Sequence, residues 1–381
     1  MKILLNCSTL MKGGSLQVAS AMFRDAIEDR EFDWFFALTS SIFSKFQDLL
    51  ESKLNAKRVI LLDKSPAKDR HSRKRLQEFV SREQFNAVFT LFGPAYVNFS
   101  VPHLCGIADG WVTHATNAAY RSLPNLKERI RTYLLCQYKL HWYQRADRWC
   151  VEAAVARDGF LSKTKANPKA VAVIPNAVNQ LIQEYATVKI ERKIEDTIHI
   201  FCLGADYWHK NYQIIPQVLV ALKKKIEKKA IFVVTLPEDS TIYNLLNNQA
   251  KILGVQENIL NLGPISLPQV IESYKKFHIL FFPSLLETFS ITPLEAFYMN
   301  MPMVLSNLPA NRQIVGEYAH YIDSCNSQEV ANKLLELITN YDHEVGKLSN
   351  LKDNKYIQNI CNAANRFDNY KKLLRDMIQT F

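Results

Sequence analysis

The stretch HILFFPSLLETFSITPLEAFYMNMPMVL, residues 278–305, reads as strand, loop, helix and strand. Residues 278–282 form a nearly continuous apolar run, as a strand buried on both faces requires. Pro283 and Ser284 end it. Thr292 is placed to cap a helix whose first residue is Pro293, with Glu295 at the third helical position. Thr-x-x-Glu with Pro in the first turn is a capping-box signature. The helix is expected over 293–300, and a second strand over 302–305. The cap accounts for Glu295 but not for Glu287, which sits in the loop just past a buried strand.

The same alternation extends outward in both directions. Strands are expected at 197–203, 230–235, 258–262, 278–282, 302–305 and 319–322. Helices are expected at 211–226, 240–252, 267–276, 293–300, 309–317 and 327–340. The first half repeats the pattern, with strands at 2–7, 58–62, 86–91, 103–108, 148–151 and 171–174. Amphipathic segments lie between them at 15–29, 42–54, 72–83, 124–145 and 153–162. Apolar strands separated by helices predict parallel sheets covered on both faces. The fold class is α/β, with two doubly wound, Rossmann-like domains facing a cleft. The expected domains are 1–176 and 177–354, joined through a polar stretch at 179–196. A last helix, about 355–381, has no strand to feed and is expected to pack back on the first domain.

A chain of 381 residues with 48% hydrophobic and 22% charged content is ordinary globular material for two domains. No run approaches the roughly 18–20 apolar residues that span a bilayer. The opening MKILLNC reads as a first strand rather than a signal peptide. The seven cysteines are scattered. Cys7, Cys105, Cys150 and Cys202 lie in or beside apolar runs, and neither CxxC nor Cys/His metal spacing occurs. A cytoplasmic protein without disulfides or structural zinc is expected.

The net charge of +10 is unevenly placed. One cluster is KSPAKDRHSRKR, 64–75. Another is KERIRTYLLCQYKLHWYQRADR, 127–148, where Arg129, Arg131, Lys139, Arg145 and Arg148 alternate with Tyr133, Leu134, Leu135, Tyr138, Leu140, Trp142 and Tyr143. This pattern suits an amphipathic helix on an anionic membrane, and equally a charged face over a buried apolar one. A nucleic-acid role would rest on charge alone, and none is expected.

In doubly wound sheets, ligands bind beyond the carboxyl ends of the strands. Three loops there carry suitable residues. Gly13 and Gly14 open a helix after the first strand, where backbone can approach a phosphate closely. Lys210 follows strand 197–203 and precedes a helix, with Asn211 placed to cap it; a lysine there can hold a phosphate. Glu287 occupies the third loop, where a carboxylate can face sugar hydroxyls.

PSLLETFSITPLEA resembles the E-x7-E motif of retaining GT-B glycosyltransferases, in particular family 4. VIPNAV (173–178), HKN (209–211), GGSLQVA (13–19) and NLGPI (261–265) resemble further elements of that family in the same order. The resemblance implies that Glu295 accepts from the ribose hydroxyls of a nucleotide and that Glu287 holds the transferred sugar. It implies that the backbone at Phe289, Ser290, Ile291 and Thr292 donates to a diphosphate, which Lys210 neutralises as it leaves. Gly13 and Gly14 would let donor phosphates and acceptor close onto the first domain. The donor would be a UDP- or GDP-sugar, the acceptor a glycan or a lipid-linked glycan, and no metal or other cofactor is expected. Retention by front-face attack is the implied course. A surface polysaccharide or lipopolysaccharide pathway, at the inner face of the membrane, is the implied setting.

The chain departs from the pattern in three places. VPHLCGIADGW puts Ala108 where family members have a histidine, so Asp109, Trp111 or His114 would take over its contacts. Gly204-Ala205 lacks the family's arginine, for which His209 would compensate in part. Ser290 replaces a glycine. The missing histidine and arginine favour one alternative, a GT-B protein that binds sugar or lipid without transferring it; a nucleotide-sugar epimerase is a further alternative among two-domain nucleotide-sugar enzymes. A NAD-dependent oxidoreductase ranks below these, since no GxGxxG with a trailing acid follows a strand.

Overall fold

The computed structural model describes residues 1–10, 14–53, 56–185, 192–349 and 363–380. The chain forms two compact units. The first takes in Met1–His114, Ile130–Ala177 and the last helix; the second takes in Ala115–Arg129 and the chain from Val178 up to that helix.

Unit one holds a seven-stranded parallel sheet: β1 (Lys2–Asn6), β2 (Asp33–Thr39), β3 (Val59–Leu62), β4 (Ala87–Thr90), β5 (His103–Ile107), β6 (Arg148–Val151) and β7 (Val171–Val173). Their order is β3-β2-β1-β4-β5-β6-β7. Unit two holds a six-stranded parallel sheet: β8 (Thr197–Cys202), β9 (Lys229–Val234), β10 (Ile259–Asn261), β11 (Ile279–Phe282), β12 (Met303–Ser306) and β13 (His320–Ile322). Their order, β10-β9-β8-β11-β12-β13, repeats the same winding. In each sheet the strand order reverses beside the first strand, between β1 and β4 and between β8 and β11. That reversal opens the crevice where doubly wound sheets take their ligands.

Strand alternation explains the continuous apolar runs. Ile279 and Phe281 enter one core cluster with Ile200, Phe232 and Val304. Leu280 and Phe282 enter another, on the opposite face, with Phe201, Met303 and Leu305. Each such side chain, wholly withdrawn from water, contributes roughly 1.5–3 kcal/mol.

The structure adds to and alters the expected elements. β2 is absent from the sequence-based list, although Trp34, Phe35 and Phe36 make it one of the most apolar strands of its sheet. The helix expected at 42–54 is two, Ser40–Phe43 and Gln47–Lys53. The polar stretch 179–196 carries a helix, Gln180–Tyr185, and residues 186–191 lie outside the described chain. The terminal helix is described over Ala363–Thr380. Its Phe367, Tyr370, Leu374 and Met377 are buried in one cluster with Ile3, Phe23, Trp34 and Phe89. Among the described residues six cysteines are free, and Cys7, Cys105, Cys150 and Cys202 are buried. No described helix is long and apolar enough to cross a membrane.

Candidate active site

The site is built where β8 and β11 lie side by side. β8 ends at Cys202, and the chain turns through a short 3-10 helix, Trp208–Lys210. Asn211 closes that turn in the left-handed region, φ 56°. Asparagine tolerates this better than most side chains. Its amide donates to the Ser324 carbonyl at 2.7 Å, which anchors the turn to the loop after β13. β11 ends at Phe282. Leu285 N–H donates to the His209 carbonyl at 2.7 Å, and Ser284 Oγ lies 3.2 Å from the same oxygen. Two loops from adjacent strands are thus joined at the His209 carbonyl, by one backbone and one side-chain hydrogen bond.

That joining sets Lys210 against Glu287, with Nζ 2.7 Å from Oε1. Both side chains are nearly buried, at 15% and 10% exposure. Nζ also lies 4.5 Å from the centre of the Phe282 ring, a cation–π contact. Gly204 makes room for the Tyr212 hydroxyl, which a Cβ there would meet at 2.8 Å; the Lys210 methylenes would lie in ordinary contact at 3.7 Å. The His209 ring stacks on Tyr207, with centroids 5.5 Å apart.

Three residues past Glu287, Ser290 starts the helix Ile291–Tyr298 and makes no side-chain cap hydrogen bond. The expected capping box is not formed. The helix begins two residues before Pro293, so Thr292 is its second residue rather than its cap. Pro293 still lies in the first turn, where its missing N–H costs nothing. Glu295 turns instead into the core, 3% exposed, with Oε2 3.0 Å from the Tyr274 hydroxyl. That hydroxyl is also 3.3 Å from the Thr292 carbonyl. Burial pushes the Glu295 carboxyl up to about 8, against a smaller lowering by the Tyr274 hydrogen bond. At neutral pH it is mostly protonated.

The remaining candidates lie in unit one. Gly14 is the first residue of the helix Gly14–Glu28, while Gly13 lies outside the described residues. Asp109 caps the short helix Gly110–Thr113, accepting from Trp111 N and Val112 N. Its second oxygen is 2.7 Å from Lys139 Nζ. Burial lowers the Lys139 ammonium more than any single contact raises it, but the Asp109 charge and hydrogen bond, with smaller contributions from Tyr96 and Cys136, together make the net shift upward. Lys139 and Tyr274 were missed by sequence reading. Each reads as part of an ordinary amphipathic helix, and nothing local marks its partner. Among the described residues no three His, Cys, Asp or Glu side chains gather as a metal ion would require.

Residues 185–358 match the family described as Glycosyl transferases group 1. Among curated proteins, the O-antigen chain mannosyltransferase RfbU of Salmonella typhimurium is 22% identical over 214 residues, 56% of this chain and 52% of that protein. The aligned stretch thus spans about half the length of that relative. Among solved structures, a glycosyltransferase from Rickettsia africae superposes with a TM-score of 0.73 at 13% identity, covering 100% of this chain and 99% of that one. Anabaena Alr3699/HepE, in complex with UDP and glucose, gives 0.71 at 12% identity, over 99% and 100%. The lipopolysaccharide outer core galactosyltransferase WaaB gives 0.63 at 13%, over 97% and 100%. Residues 185–358 are thus similar to the Glycosyl transferases group 1 family, and the two parallel-sheet α/β units have the GT-B fold.

Proposed function

We propose that this protein is a retaining glycosyltransferase of the family 4 type. It moves a sugar from a UDP- or GDP-sugar to a glycan or lipid-linked acceptor, in surface polysaccharide or lipopolysaccharide assembly. The observation that carries the reading is the Lys210–Glu287 pair, at the strand-order reversal of the second sheet and three residues before a helix start with no side-chain cap. The similar proteins support it: one is an O-antigen chain mannosyltransferase, and another was crystallised with UDP and glucose.

The pair explains how one site serves two charges. Without ligand, each group neutralises the other and neither is left as a lone charge out of water. When the donor enters, Lys210 turns to the diphosphate and Glu287 to hydroxyls of the sugar. Transfer builds negative charge on the leaving diphosphate. Lys210, released from Glu287, and the backbone N–H groups of Phe289, Ser290, Ile291 and Thr292 at the helix start would meet that charge. The same reading gives Glu295 to the ribose hydroxyls, a role that requires its buried carboxyl to leave the Tyr274 hydroxyl. In unit one the same reading assigns Gly14 to phosphate contact and Asp109 to the acceptor. This lysine and helix start do the work of a divalent cation, so the reaction needs none. Peripheral contact with an anionic membrane, from the cytoplasmic side, belongs to the same reading.

Calorimetric titration with UDP and GDP, followed by turnover on a donor and acceptor panel, tests it. Lys210→Ala and Glu287→Gln are each expected to lower turnover about 10²–10³-fold with the fold retained. Chelation by EDTA is expected to leave turnover unchanged. Unaltered turnover in both variants removes the assigned roles. Ala108 and Ala205 favour a second reading, a protein that binds donor without transferring it; nucleotide binding with no turnover on any acceptor would decide for it. Donor conversion without acceptor would point to an epimerase.

A further inference from the structure

We infer that Lys139 and Tyr96 form a hydroxyl-binding site in unit one, which holds one hydroxyl of an acceptor sugar against Asp109. The inference rests on the glycosyltransferase reading above and names groups that meet the acceptor.

Three segments bring these side chains together beyond the carboxyl ends of β4 and β5, which pair side by side. Tyr96 lies in the loop after β4, Asp109 two residues past the end of β5, and Lys139 in the helix Leu126–Tyr143. The loop is pinned. Gly93 N–H donates to the Gly106 carbonyl at 2.8 Å, and the Tyr143 hydroxyl donates to the Gly93 carbonyl at 2.6 Å. A Cβ at Gly93 would collide with Cys105 Sγ, so this approach needs glycine. Tyr96 itself stands at φ 57°, where a bulky side chain is strained. It is 6% exposed and stacks on Tyr138, with centroids 5.9 Å apart. Arg73 packs over the same ring and is held by the Pro66 and Ala67 carbonyls and, at 3.3 Å, by the Tyr138 hydroxyl. It belongs to the scaffold of the site.

What the side chains leave open defines the ligand. Asp109 accepts from Trp111 N and Val112 N on Oδ1, and from Lys139 Nζ on Oδ2. A carboxylate accepts about four hydrogen bonds, so Oδ2 has a place left. Among the described residues Asp109 is the partner of the Lys139 ammonium, whose other N–H groups are unpaired. The Tyr96 hydroxyl bonds to no described residue, although buried tyrosine hydroxyls usually find a partner. Burial pushes that hydroxyl up, and the Lys139 ammonium pulls it back more than any other charge does, so the two groups lie close.

A purely structural ion pair explains this poorly. A half-buried pair recovers little beyond its own desolvation, and this one leaves donors unused. Lys139 and Asp109, at 27% and 17% exposure, can still be reached from solvent. The Lys139 charge is already met by Asp109, so a neutral partner is wanted. A sugar hydroxyl fits each open position: it accepts from Lys139 and Tyr96 and donates to Asp109 Oδ2. A phosphate dianion has no proton for Asp109 and would face its charge.

The test is saturation-transfer NMR of the full chain without nucleotide, titrated with methyl glycosides of glucose, galactose, mannose and N-acetylglucosamine. At least one is expected to bind. Tyr96→Phe removes a hydroxyl with no described partner, so it should keep the thermal transition and weaken that glycoside about tenfold. Lys139→Met should weaken it about tenfold or more, with partial rescue by Lys139→Arg. Among deoxy analogues of the glycoside, one should bind the parent as weakly as the full sugar binds Lys139→Met, and should be indifferent to that substitution. No binding by any glycoside, or variants that bind like the parent, overturns the inference. Inorganic phosphate that displaces the glycoside also overturns it, by assigning the donors to an anion. Glycoside binding requires no nucleotide, so its failure leaves the UDP and GDP titration, and the transferase reading, standing.

Discussion

Glu295 looks like a surface cap in the sequence and is a buried acid in the fold. Its folded value of about 8 lies above the ordinary 4.5. Between those values the folded chain keeps a proton that the unfolded chain has lost. Its contribution to stability is whole below pH 4.5, declines as pH rises, and is gone above about 8. Thermal melts from pH 5 to 9 should show unit two losing stability with rising pH, and Glu295→Gln should flatten that slope. Tyr274→Phe removes the hydroxyl beside the carboxyl and is expected to destabilise by roughly 1–3 kcal/mol, read by urea titration. Lys210 and Glu287 were legible one at a time, as polar residues just past apolar strands. That they touch was not, because 77 residues separate them.

At the scale of elements, Arg192 is the least foreseen residue. It lies in the stretch read as a linker, yet it is 6% exposed. Its guanidinium donates to the carbonyls of Tyr274 and Asn300, each at 2.9 Å, and to that of Met299. One side chain thereby satisfies carbonyls near the ends of the helices Leu267–Lys276 and Ile291–Tyr298, which the helices themselves leave open. Arg192→Met should strand those groups and cost about 3 kcal/mol or more. In differential scanning calorimetry the melting of unit two should fall by roughly 6–12 °C. β2 escaped sequence reading for a different reason. A five-residue apolar run such as Trp34–Leu38 has no period of its own, and short buried strands and helical segments look alike by pattern.

At the scale of the molecule, the terminal helix completes unit one. Phe367 packs 5.9 Å from Trp34, and Tyr370 5.0 Å from Phe89, centre to centre. Lys371 reaches Asp29 at 3.0 Å and Glu31 at 3.2 Å. A fragment of residues 1–177 lacks this helix and leaves the cluster open, so it is expected to aggregate, judged by soluble yield. Phe367→Ala in the full chain should cost about 3–5 kcal/mol, measured by denaturant titration.

The sequence alone determined the class of fold and nearly every element of the second sheet. Strands such as Ile279–Phe282, buried on both faces, must be written as unbroken apolar runs, and such runs are visible in one dimension. It also marked the loops that hold the chemistry, because the carboxyl ends of those strands are fixed once the strands are known. Tertiary structure alone decided which residues meet. Strand order put β8 beside β11 and so Lys210 against Glu287. Helix packing turned Glu295 from a cap into a buried acid under Tyr274. Arg73 against Tyr138 made one surface of two basic clusters. Each depends on contacts between segments far apart in the chain, which no local pattern records.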